Sequence, residues 1–318
     1  MFNKRKKLII FLILAFVVSA GAGFVILKAR NEISLENKAV VNVPEIQKVS
    51  ILAFGDMMLD RNVFLKTREA GDFNFPFLKI DPMLRQADIK IANLEGPITN
   101  FESVSQGNNR MRFTVSPDFL SALKSRFQVL GLANNHMQDF GEEGYSQTKE
   151  FLASAGINYF GDFKNRKENL STVIEKNRIK IGFVGYHALA EENLQDIVDA
   201  IKKLEIETDF VIVFSHWGAE YQDEPAIIQK EEARMFIDNG ADLVLGSHPH
   251  VVQESEDYQG KKIFYSLGNF IFDQYFSEET MKGLAVKILI EKSDEKIEAK
   301  YDLLPIRINE NSQPEPAE

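Results

Sequence analysis

From Val49 onward the chain alternates apolar runs of three to six residues with longer amphipathic stretches. Runs that short are strands, and the stretches between them have helical length and spacing. The alternation confines the chain to an α/β architecture, with strands packed against helices. It predicts strands at Val49–Phe54, Ile89–Ala92, Val129–Leu132, Ile179–Val184, Val211–Phe214, Leu243–Leu245 and Ile263–Ser266, and two more at Leu284–Ile290 and Lys296–Leu304. Helices are expected after Ser116-Pro117, over Glu143–Ala155, over about Glu192–Leu204, and from Pro225 to Gly240, where caps, first-turn prolines and terminal glycines give the boundaries. The segment 308–318 is polar, acidic and Pro-containing, and is expected to be disordered. No internal repeat is present.

The residues just beyond each strand carry the chemistry. The runs lead into Gly55-Asp56, Asn93-Leu94-Glu95-Gly96, Ala133-Asn134-Asn135-His136, Ser215-His216-Trp217-Gly218, Gly246-Ser247-His248-Pro249-His250 and Leu267-Gly268-Asn269-Phe270. Ligands of α/β sheets bind beyond the carboxyl ends of the strands. Taken singly, Gly-Asp or Asn-Asn is an ordinary turn, and a lone histidine is an ordinary half-buried ring. Together they place four of the chain's five histidines, and two carboxylates, on one rim. The fifth, His187, also comes after a strand and is assigned a structural or substrate-side role. With no cysteine in the chain, any metal must be held by His, Asn, Asp and Glu. A net charge of -10 argues against nonspecific nucleic-acid binding, because phosphates would repel the surface.

The N-terminus reads as a separate unit. Lys4, Arg5, Lys6 and Lys7 precede an uncharged apolar run from Leu8 to Leu27. That matches the ~20 residues needed to cross a bilayer. The basic cluster predicts a cytoplasmic N-terminus (1–7), a transmembrane anchor (8–28), a linker (29–47) and an extracytoplasmic domain (48–307). A cleaved signal peptide, cut near Val18-Ser19-Ala20-Gly21-Ala22, is the rival reading. Phe24 to Leu27 extend the apolar run past that point and favour the anchor.

At these motifs the sequence resembles the capsule-synthesis proteins of the CapA type, the poly-γ-glutamate biosynthesis family, within the calcineurin-like metallophosphatase superfamily. The matching stretches are Gly55-Asp56-Met57-Met58-Leu59-Asp60-Arg61, Asn93-Leu94-Glu95-Gly96, Ala133-Asn134-Asn135-His136 with Asp139 and Gly141, Ser215-His216-Trp217-Gly218, Gly246-Ser247-His248-Pro249-His250 and Ser266-Leu267-Gly268-Asn269-Phe270. The resemblance implies a four-layer αββα sandwich with one or two divalent transition metals (Mn, Fe or Zn) at one edge of its sheets. It implies Asp56, Glu95, Asn135, His216, His248 and His250 as ligands, with Glu95 in the bridging position and His136 a neighbouring imidazole that binds no metal. Superfamily members carry D-x-H at the first motif, where this chain has Met58. One metal position is therefore a ligand short, to be filled by Asp60 or a water or left weakly occupied.

Such a site makes two functions conceivable. The first is a metal-dependent hydrolase acting on phosphoesters or on γ-glutamyl links of an anionic extracellular polymer. There His136 would serve as general acid, Asp139 would fix its tautomer, and Arg61, Asn93 and Asn269 would contact substrate. The second is a non-catalytic accessory that binds polymer or a membrane polymer synthase through the same groove.

Overall fold

The structure is a computed structural model. It describes residues 9, 11–18, 22, 24, 25, 28, 46–105, 111–190, 194–294 and 296–317. The chain divides into two compact units, Met1–Glu45 and Ile46–Glu318. In the first, all the described residues are helical. Among the described residues no helix is long and apolar enough to cross a membrane. The remainder of the 8–28 span and nearly all of the 29–47 linker lie outside them.

In the second unit, β1 (Gln47–Met57), β2 (Ile89–Leu94), β3 (Val129–Gly131) and β4 (Asn158–Phe160) run parallel. They are extended on the far side of β1 by the antiparallel β12 (Lys282–Lys292), β13 (Ile297–Ile308) and β14 (Pro314–Pro316), while β11 (Asn269–Ile271) pairs with the end of β1. The second sheet has the order β5-β6-β7-β8-β10-β9. Its strands are β5 (Ser171–Lys176), β6 (Ile179–His187), β7 (Phe210–His216), β8 (Leu243–Ser247), β9 (Ser255–Tyr258) and β10 (Lys261–Phe264). The helices are α1 (Arg61–Ala70), α2 (Asp81–Leu84), α3 (Leu120–Lys124), α4 (Gly141–Ala155), α5 (Leu194–Glu207) and α6 (Ile227–Asp238).

Side-chain alternation along the strands explains the layering. Ile51 and Ala53 of β1 and Ile91 of β2 pack against Ile181, Phe183, Ile212 and Leu245 of the second sheet. Their neighbours Leu52 and Phe54 turn the other way, onto Leu123 of α3 and Leu152 of α4. Likewise Val211, Val213 and Val244 face Ile197 and Ile201 of α5 and Phe236 of α6. The result is helices, sheet, sheet, helices. Strands buried on both faces give continuous apolar runs, which is why they stand out in the sequence.

Three expectations are revised. The helix after Ser116-Pro117 opens as a single 3-10 turn, with Ser116 accepting from the Asp118 N–H, before α3 begins. The helix from Pro225 is shorter, Ile227–Asp238. The tail expected to be disordered is instead built into the first sheet. β14 pairs with β13, Ser312 is buried, and Gln313 donates to the Phe75 carbonyl at 2.7 Å. Pro314 and Pro316 are accommodated because β14 is the edge strand, where a missing N–H costs little.

β1 and the Gly268 loop approach more closely than side chains allow. A Cβ at Gly55 would lie 1.8 Å from the Gly268 carbonyl oxygen. That same oxygen accepts from the Asp56 N–H at 3.1 Å. Gly55→Ala is expected to destabilise the fold by about 1–3 kcal/mol, read as a lower urea midpoint at unchanged m-value.

Candidate metal centre

Strand register sets the polar residues level with one another. Asp56 stands opposite Asn93 on one side and Asn269 on the other, and His216 opposite His187 and Ser247. Asp56 is fully buried. Its Oδ1 accepts from Asn93 Nδ2 at 2.8 Å and its Oδ2 from the His248 N–H at 3.1 Å, with His250 Nδ1 at 3.3 Å. Burial alone would raise its pKa, but His250, Asn93 and the His248 amide outweigh that and hold it below the usual carboxylate value.

Glu95 is fully buried, and among the described residues neither of its carboxylate oxygens has an N–H or O–H donor. The nearest imidazole nitrogens are His250 Nε2 at 3.7 Å and His136 Nε2 at 3.9 Å. Burial, and then the Asp56 carboxylate beside it, push its pKa well above the usual range. A carboxylate buried without a donor is costly unless a cation lies against it. Oxygen or nitrogen atoms of Asp56, Glu95 and His250 come within 4.8 Å of one another, close enough to hold one ion.

The imidazoles are held by defined partners. His216 Nε2 lies 2.8 Å from Asn135 Oδ1, and its Nδ1 3.0 Å from Ser247 Oγ. Burial, then His248, hold His216 well below its usual pKa, so the ring is neutral, the form that ligates metal. His248 is pushed down to about 4 by burial and His250, and its buried Nδ1 has no partner. His250 donates from Nδ1 to Asn269 Oδ1 at 2.9 Å, leaving Nε2 toward Glu95. Burial works against its protonation, but Glu95 and Asp56 prevail and raise it to about 9. His248 and His250 both have left-handed backbones, φ 94° and 59°. Non-glycine residues take up such conformations at a cost, and they cluster where a site requires them.

The structure thus gathers Asp56, Glu95, Asn135, His216, His248 and His250 at one rim. An all N/O set of imidazoles, an amide and carboxyl groups, with His216 and His248 favoured as neutral rings, fits a divalent transition ion whose binding would displace the protons of His250 and Glu95. The Glu95 oxygens, buried without a donor among the described residues, leave a place that a cation could fill.

Around this group the expected substrate-side residues separate. His136 donates from Nδ1 to Asp139 Oδ2 at 2.8 Å, so its Nε2 is the nitrogen turned toward Glu95. Asn93 and Asn269, expected to contact substrate, have their amides committed elsewhere. Asn93 bridges Asp56 and Asn134. Asn269 donates to Gln274 and to the Thr280 carbonyl, both at 2.9 Å, which aims its oxygen at His250. Arg61 pairs with buried Asp273 at 3.1 Å and lies 5.7 Å from the centre of the Phe113 ring, which stacks on His136 at 4.1 Å. His187 donates from Nδ1 to the Phe163 carbonyl at 2.9 Å, and its Nε2 is buried without a partner.

Met58 is buried in the core, and its sulfur accepts from the Asp60 N–H at 3.1 Å. Asp60 in turn accepts from the Thr114 N–H at 3.0 Å. Two residues escape a reading of the sequence. Phe113 comes in from a loop with no strand signal. Glu220 groups with His248 and His250 within 4.8 Å, and stands four residues past His216 in the same loop, beyond the motif that ends at Gly218.

Comparison with known proteins gives the family of the chain. The profile of the family described as bacterial capsule synthesis protein PGA_cap matches residues 50–274. The PGA biosynthesis protein CapA of Bacillus subtilis (strain 168) is 31% identical over 273 residues, covering 80% of this chain and 70% of the relative. The capsule biosynthesis protein CapA of Bacillus anthracis is 29% identical over 299 residues, covering 87% and 72%. A hypothetical protein from Thermus thermophilus has a similar fold, with TM-score 0.52 and 14% identity over 80% of this chain and 99% of that one. The chain belongs to the bacterial capsule synthesis family PGA_cap.

Proposed function

We propose that this chain acts at the outer face of the cell membrane in the biosynthesis of an anionic capsule polymer, poly-γ-glutamate or a chemical relative, through a metal-dependent, hydrolase-like centre of the metallophosphatase type. The names of its CapA relatives support the polymer context. The observation that carries the chemistry is Glu95, fully buried between imidazoles with no donor for either oxygen.

Asp56, Glu95 and His250 would hold an ion, with Asn135, His216 and His248 completing the centre beside them. When bound, the metal supplies hydroxide near neutral pH and stabilises charge on the attacked group. The protein's own contribution is positional. Asp139 holds the His136 hydrogen at Nδ1, so Nε2 exchanges a proton with the leaving atom. Phe113 keeps that ring flat against the site, and Asn269 fixes the tautomer of His250. Arg61, a quarter exposed and already paired with Asp273, offers its remaining N–H groups to a carboxylate or phosphate. The apolar run behind Lys4–Lys7 anchors the chain with its N-terminus inside.

One observation favours the accessory reading. Exposed Tyr221 and Phe276 meet edge-on at 5.1 Å, and Tyr221 lies 6.0 Å from His250, an aromatic rim of the kind that would hold a chain without cleaving it. A screen of the metal-loaded full chain against phosphoesters and γ-glutamyl polymers decides between them. Hydrolysis of either class supports the enzyme; polymer binding with no hydrolysis in any metal supports the accessory.

A further inference from the structure

We propose that Glu220 is a metal ligand of this centre, supplying a carboxylate oxygen in place of the imidazole that the Asp-x-Met sequence at Asp56 lacks. The inference rests on the metal-centre reading above and adds a ligand to it. Met58 cannot fill the gap, because its sulfur is buried in the core and accepts the Asp60 N–H. Asp60 accepts the Thr114 N–H through Oδ2 and buries Oδ1 without a partner, but among the described residues it joins neither group of clustered ligand atoms. Glu220 has a carboxylate oxygen within 4.8 Å of ring nitrogens of both His248 and His250. Because His250 also belongs to the group formed with Asp56 and Glu95, Glu220 enters next to the incomplete position.

Its placement is enforced by the backbone. The loop leaving β7 is tied to the loop leaving β8 on both sides of Glu220. The Trp217 N–H donates to the Ser247 carbonyl at 3.2 Å and the Tyr221 N–H to the Pro249 carbonyl at 2.8 Å. Pro249 is the residue between His248 and His250, so the same bond holds both segments of the site. Between the ties the chain turns at Gly218, φ 79°, where a Cβ would meet Gln229 at 2.6 Å. Tyr221 follows with φ 63°. Two left-handed residues in a loop pinned at both ends leave Glu220 little freedom. A partly exposed carboxylate oxygen is hard, anionic and matched to Mn or Fe, where a thioether is not.

The test uses the full chain in detergent, stripped of metal and titrated with Mn²⁺ by calorimetry, as wild type, E220Q and E220D. The melting temperatures of the metal-free forms check folding. E220Q is expected to lose one binding event, or to weaken Mn²⁺ binding by at least about tenfold, with an unchanged metal-free melting temperature. E220D, which keeps the charge, should retain part of the affinity. Wild-type Mn²⁺ affinity and stoichiometry in E220Q would overturn the assignment and leave the six-ligand centre standing. A wild-type chain that binds no Mn²⁺, Fe²⁺ or Zn²⁺ would overturn the centre itself.

Discussion

Glu95→Gln abolishes tight metal binding while leaving the metal-free fold about as stable as wild type. The two effects have one origin. In the wild-type chain the carboxylate is taken out of water with no donor to either oxygen, next to a second carboxylate. An amide of the same shape replaces an acid that burial already pushes toward its neutral form, so the metal-free protein loses little. It also removes the anion that draws a cation to the site, and affinity should fall at least 10- to 100-fold. Stability against pH tells the same story. The folded pKa of Glu95 lies above its unfolded value of 4.5, so the folded state holds more protons, and the favourable contribution of the neutral acid is lost as pH rises toward the folded value. His250 acts in the same direction: raised to about 9 by Glu95 and Asp56 against burial, it contributes stability below its ordinary 6.5 that is lost through about 9. His216 and His248, buried as neutral rings, contribute stability that is gained as pH rises toward 6.5 and is complete by then. Metal-free wild type should therefore melt at falling temperature between about pH 7 and 9, and Glu95→Gln should lose less. A steeper decline in the variant would contradict the charge argument.

His136→Ala separates catalyst from binder. The ring makes no hydrogen bond to a ligand side chain, and its Nδ1 is committed to Asp139. Metal content should stay close to wild type and the melting temperature fall only by the packing lost on Phe113, while turnover on a hydrolysed polymer or ester drops by about 10²- to 10⁴-fold, the usual contribution of a general acid. His248→Ala should instead lose the metal and the activity together. If His136→Ala left every hydrolytic activity and polymer production intact while His248→Ala abolished them, the centre would be a binding site and the enzyme reading would fall.

How much of this is legible in the sequence depends on the way burial shapes composition. β1, β6, β7 and β8 are legible because both faces of each are buried, and their ends are legible because a polar residue stops an apolar run abruptly. β5, exposed along one face and without an apolar run, escapes notice, as do the three-residue β4 and β11, whose neighbours supply most of their stability. α1 is hidden because only Val63 and Thr67 of its ten residues are buried, too few to show a helical stripe. The rim positions of Asp56, Glu95, Asn135, His216, His248 and His250 are readable from where the apolar runs end, while their expected role as ligands comes from the family resemblance. The second roles of Asn93 and Asn269 are not readable, since which neighbour an amide serves depends on register between distant strands. Glu220 is hidden for a related reason. Its distance from β7 is ordinary, and only the bond from Tyr221 to Pro249 brings it back to the rim.

The central claim is that a metal occupies this rim. Elemental analysis of the full chain, purified without chelator, should find at least about one Mn, Fe or Zn per chain, falling sharply in Glu95→Gln and in His248→Ala and unchanged in His136→Ala. Well under one transition metal per wild-type chain, even after incubation with each ion, would contradict it.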